Sequence, residues 1–169
     1  RIDDALRTLF ASPEFMSTEA AGAKFKTPYQ FVLSALRASG VAVANVGPLT
    51  NTISQLGMPL YGCQTPDGYK NTQDAWLNPD ALTRRIAFAT ALAGGRLPLA
   101  DAQPASQPAS KPVPLDPAAL QAALAGSLSP RTLGIVSQGP ERLRAAMLLG
   151  SREALPEDDT DAFRRVGVA

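Results

Sequence analysis

Residues 78–95 read Asn78-Pro79-Asp80-Ala81-Leu82-Thr83-Arg84-Arg85-Ile86-Ala87-Phe88-Ala89-Thr90-Ala91-Leu92-Ala93-Gly94-Gly95. This stretch decides the fold class. Asparagine offers a side-chain acceptor at the N-cap, and proline presets φ at the first helical position. Leu82, Ile86, Ala89 and Ala93 then recur at i, i+4, i+7 and i+11, and the Gly94-Gly95 pair stops the pattern. The spacing predicts one amphipathic helix closed at both ends.

The same start signal recurs on both sides of it. Thr27-Pro28, Asp116-Pro117 and Ser129-Pro130 each precede a helical pattern, and Gly139-Pro140-Glu141 is a weaker fifth case. After Thr27, Gln30 stands at the capping-box position and Phe31, Val32, Leu33, Ala35 and Leu36 form a broad apolar face up to Gly40, which predicts a helix over 28–39. A short helix is expected from about 48 to 56, with Gly57 ending it and Pro59 forbidding its extension. Three more are expected over 117–125, 130–137 and 140–149, packed together through Leu120, Leu124, Leu133, Val136, Leu143, Met147 and Leu148. The opening residues Ile2, Leu6, Leu9 and Phe10 also keep a helical spacing, with Asp3 and Asp4 in the first turn. Period-2 runs of β-branched residues are missing. The 41–46 stretch is short and alanine-rich, leaving room for one hairpin at most. The fold class is therefore all-α: an irregular bundle of short helices with one long ordered loop, about 57–77, and a linker.

That linker is Asp101 to Pro114, DAQPASQPASKPVP, whose prolines and small residues leave little to bury. The expected organisation is a helical segment over 1–100, a Pro-rich linker over 101–115, and short helices over 116–169 that pack back on the first part. The acidic run at Glu157, Asp158, Asp159 and Asp161 reads as a solvated final helix or a frayed tail, and a partly ordered tail is expected.

Composition excludes several functions. The 169 residues are 45% apolar and 18% charged, and no apolar run is long enough for a membrane span. The net charge of +1 is spread evenly, 9 basic against 7 acidic residues up to position 100 and 7 against 8 beyond it, so there is no basic footprint for nucleic acid. Absence of histidine removes Ser/His/Asp and Cys/His catalysis and His-ligated metal sites from this stretch of chain. Cys63 is the only cysteine, so it forms no disulfide within these residues, and a buried structural thiol is expected there rather than a nucleophile based on Lys70. The first residue is arginine and a helical pattern begins at once, which reads as a start within a longer protein. No Gly-rich phosphate loop is present, because Gly94-Gly95 follows a helix rather than opening one, and no cofactor or metal is expected.

Chemistry, if the chain carries any, is expected in the loop MPLYGCQTPDGYKNTQDAW, residues 58–76. Loops this long inside compact domains are uncommon and often functional, and two tyrosines with a tryptophan argue against disorder. Thr65-Pro66-Asp67-Gly68 has the form of a rigid β-turn. Two readings stand side by side. In one the loop is a structural turn. In the other Tyr61, Asp67, Tyr69, Asp74 and Trp76 wall a cleft for sugars or other polyhydroxylated ligands, with Arg84 clamping an anionic group. Asp67 and Asp74 have the residue type for acid and base work, but their spacing specifies no mechanism. Asp74 is equally suited to a cap or to an ion pair with Arg84 or Arg85, and Lys24 and Lys26 around Phe25 read as a solvated stretch.

Several blocks resemble a known family. They are Leu9-Phe10-Ala11-Ser12-Pro13-Glu14-Phe15, Lys24-Phe25-Lys26-Thr27-Pro28-Tyr29 with Phe31 to Arg37, and Leu56-Gly57-Met58-Pro59-Leu60-Tyr61-Gly62-Cys63 with Thr65 to Tyr69. Ala75-Trp76-Leu77-Asn78-Pro79 and Arg84-Arg85-Ile86 complete the set. Together they resemble the C-terminal part of the bacterial family catalogued as domain of unknown function 1800. The likeness covers roughly residues 5–96 and is looser through Ala145 to Arg152. It implies a longer, largely helical and often exported parent, periplasmic or secreted, often encoded beside a sulfatase-like protein, and no established activity. The expected function is that of a scaffold or accessory domain to a site in the N-terminal part of the parent. The alternatives are part of an enzyme acting on carbohydrate through the 57–77 loop, or a partner-docking module formed by the helices after the linker.

Overall fold

The computed structural model describes residues 1–15, 17, 25–100, 113–124 and 128–151. Most of the Pro-rich stretch, Lys24 and the acidic run at 157–161 lie outside the described residues. Among the described residues eight helices follow in order: α1 (Ile2–Phe10), α2 (Pro28–Ser39), α3 (Gly47–Gln55), α4 (Gln73–Trp76), α5 (Pro79–Ala93), α6 (Pro117–Ala123), α7 (Pro130–Gln138) and α8 (Glu141–Gly150). Among the described residues there is no strand, and the fold is all-α.

Four of these helices begin where a cap and a proline coincide. Thr27 accepts from the Gln30 N–H while Gln30 returns a bond to the Thr27 N–H. Asn78 accepts from Ala81 N–H, Asp116 from Ala118 and Ala119, and Ser129 from Thr132. Each cap satisfies an orphan donor of the first turn and contributes about 1 kcal/mol. α8, preceded by Pro140, has no side-chain cap. It is held instead by packing against α5, α6 and α7, its contact with α5 being the most extensive between any two helices. At that crossing Gly150 of α8 faces the Ala89 methyl group of α5.

One core gathers residues from both sides of the Pro-rich stretch: Val32 and Ile53 before it, Leu120, Leu148 and Leu149 after it. The far end of that stretch returns to the close of α5. Leu115 N–H bonds to the Ala93 carbonyl at 2.8 Å, and the backbone of Val113 lies against Gly95, whose φ is +64°. Nearby, Ala44 and Asn45 donate their N–H groups to the Leu99 carbonyl, which ties residues 41–46 across the fold without forming a hairpin.

The expected face of α5 is corrected in part. Ala89 and Ala93 are buried as the spacing predicts, together with Ala81, Arg85, Phe88 and Leu92, whereas Leu82 and Ile86 are 41% and 62% exposed. Two overlapping stripes run along this helix. The one carrying Phe88, which meets the Phe31 ring edge-on at 5.7 Å, buries more apolar surface than the one carrying Ile86. On α1 the expected apolar stripe is present, but none of its residues is buried. Lys26 departs from the solvated reading as well: it is buried, and its ammonium donates to the Ser34 hydroxyl.

Candidate functional site

The loop between α3 and α5 is built from two turns and a short helix. Gly57, at φ +92°, turns the chain out of α3 and leaves room for the Trp76 ring. A first turn closes with Gly62 N–H on the Pro59 carbonyl at 3.0 Å, and a second with Gly68 N–H on the Thr65 carbonyl at 3.2 Å. The expected β-turn at Thr65 to Gly68 is therefore present, with φ +76° at Gly68 where only glycine is free of strain. Residues 73–76, which carry little helical period, form α4. Their single turn follows from Trp76 being drawn into the fold.

Two aromatic side chains fasten the loop. The Tyr69 hydroxyl donates to the Pro59 carbonyl at 2.7 Å, and the Trp76 indole N–H donates to the Lys70 carbonyl at 2.7 Å. Their rings lie 6.1 Å apart, Trp76 being buried and Tyr69 half-buried. Partial desolvation raises the Tyr69 phenol pKa, with the nearby Cys63 adding to the shift. Both polar tips thus serve the loop's own backbone.

The remaining candidate residues point elsewhere. Tyr61 has φ +60°, and its side chain stands wholly in solvent. Asp67 is exposed, and the Thr65 hydroxyl, helped by the backbone and then Lys70, holds its carboxyl below the ordinary value. Asp74 is exposed and held low chiefly by the Thr72 hydroxyl. Arg84 bonds Asp80 through Nε at 2.7 Å, one turn away on the same helix, and Arg85 donates to the Lys26 carbonyl, so among the described residues neither pairs with Asp74. Of the six candidates the structure brings Tyr69 and Trp76 together. Among the described residues, Tyr61 and Arg84 share no hydrogen bond, ion pair or ring contact with the others. Cys63 is half-exposed rather than buried, its sulfur 3.5 Å from the Thr65 hydroxyl.

No group of three or more metal-ligating side chains occurs among the described residues. An open, shallow depression of about 570 Å³ lies on α1, lined by Asp3, Leu6, Arg7, Phe10 and Ala11, and no loop residue contributes to it. No described helix is long and apolar enough to cross a membrane.

Arg85, offered by the sequence only as an ion-pair partner for Asp74, lies inside the fold instead. It is 7% exposed, its guanidinium lies 4.6 Å from the Phe25 ring centre and 4.8 Å from that of Phe31, and it donates to the Lys26 carbonyl at 2.8 Å. Its Nε is shut off from solvent and has no hydrogen-bond partner among the described residues. Burial pushes its pKa down to about 10, so it keeps its charge at neutral pH. A signal existed: Arg85 stands in register with Ala81, Phe88 and Leu92, on the stripe that turned out to face inward.

These features define a helical domain whose aromatic loop is closed on itself. The chain belongs to the family described as protein of unknown function (DUF1800), whose model matches residues 1–157. That match takes in the helices after the Pro-rich stretch, beyond the blocks that carry the resemblance. No curated protein and no solved structure matches the chain.

Proposed function

We propose that this chain is a non-catalytic scaffold domain that docks onto another part of the same, longer protein through α1, with loop 57–77 acting as a brace. One observation carries the reading. α1 has an apolar face of Ile2, Leu6, Leu9 and Phe10, between 46% and 82% exposed, and buries none of it in this fold. A strongly amphipathic helix left uncovered gains its stability from a surface that covers it. The closed loop supports the same reading, because the Tyr69 and Trp76 donors that would line a sugar site are bound to Pro59 and Lys70. Docking through the helices after the Pro-rich stretch has less support, since Leu120, Leu124, Val136, Leu148 and Leu149 are all buried in the core. The exported location implied by the family resemblance goes with this proposal.

The test is a thermal melt of Leu6→Ser/Phe10→Ser in two settings. In the 169-residue chain the substitutions change the melting temperature little, because no residue of the face is buried and what is lost is the edge contact of the Phe10 ring with Phe15 at 5.0 Å. In the full-length parent they lower it by several degrees or release the domain to proteolysis. An unchanged parent would overturn the proposal.

A further inference from the structure

We draw no further inference here: the strongest candidate, the Arg85 guanidinium buried between α5 and the segment leading into α2 with its Nε unpartnered among the described residues, has one edge spent on the Lys26 carbonyl, and residues 18–24, which lead into the Phe25 ring beside it, lie outside the described part, so nothing shows which group or ligand faces the charge from that side.

Discussion

Tyr69 and Pro59, ten positions apart, are joined by a 2.7 Å hydrogen bond from phenol to carbonyl. Pro59 also receives the Gly62 N–H that closes the first turn. The same carbonyl therefore ties the turn to the later half of the loop. Tyr69→Phe removes one donor and leaves the ring, which costs about 1 kcal/mol, or roughly 2–4 °C in melting temperature for a domain of this size. Asp67→Asn, on the exposed turn, is expected to leave the melting temperature nearly unchanged at neutral pH. Melts of both variants with and without a panel of sugars and divalent cations decide between brace and binding site. A brace gives the Tyr69→Phe loss and no shift from any added compound. A ligand-induced rise in wild type that Tyr69→Phe abolishes would assign the loop to binding.

Gly95 and Gly134 should respond in opposite directions to alanine. At Gly95, with φ +64°, a Cβ would run into the backbone of Val113, which cannot yield as a side-chain tip can. Gly95→Ala is expected to cost more than about 2 kcal/mol. Gly134 lies inside α7 with open space where its Cβ would be. Gly134→Ala should stabilise by about 0.5–1 kcal/mol through the lost entropy of the unfolded chain. Urea midpoints of the two variants check both signs in one experiment, and equal losses would show that Val113 does not pack there.

Arg85 can be separated into its charge and its bulk. Arg85→Ala removes the stem packed against Phe25 and Phe31 and orphans the Lys26 carbonyl, whereas Arg85→Met keeps most of the volume and removes a buried charge. Methionine should therefore cost less than alanine, as read by urea midpoints. Because burial lowers the folded pKa only to about 10, both folded and unfolded states hold the proton at lower pH. Arg85 then adds no pH dependence there, and above that pH the folded state gives up its proton first, so this residue's contribution to stability rises with pH. Stability curves of wild type and Arg85→Met should run parallel from about pH 5 to 9. A gap that widens with pH in that range would mean that the guanidinium loses its proton far below about 10.

The contrast between Arg85 and Asn78 shows what could be read from the sequence. A cap is a local device: Asn78 meets Ala81 three residues on, as Thr27 meets Gln30, so the order of residues contains the whole interaction. The starts of α2, α5, α6 and α7 were legible for that reason. The inward face of α5 depends on what α8 and Phe31 present to it, and those partners are distant in sequence. Periodicity there gives a stripe containing Ile86 but not its centre, which lies nearer Arg85 and Phe88. In the candidate site the turn at Thr65 to Gly68 was legible from Pro66 and Gly68. The destinations of the Tyr69 and Trp76 donors were not, because a hydrogen bond to a carbonyl leaves no mark on the identity of the accepting residue.

Acid should act on the loop through Asp67 and Asp74. Hydroxyls of Thr65 and Thr72 hold the two carboxyls below the ordinary 3.8, so the folded chain favours their charged forms. The sign follows from linkage: stability from these groups is fully present above 3.8 and is lost as pH falls through their lower folded values. No histidine titrates between about pH 5 and 8, so over that range Asp67→Asn/Asp74→Asn should differ from wild type by a constant small amount. Below 3.8 the difference should close, because wild type loses an advantage the variant never had. Melting temperatures measured from about pH 6 down to about pH 2 read this directly. A gap that stays constant to the acid end would mean that the threonine hydroxyls bind the protonated and charged carboxyls equally well, and the turns would then owe their shape to Pro66, Gly68 and the aromatic donors alone.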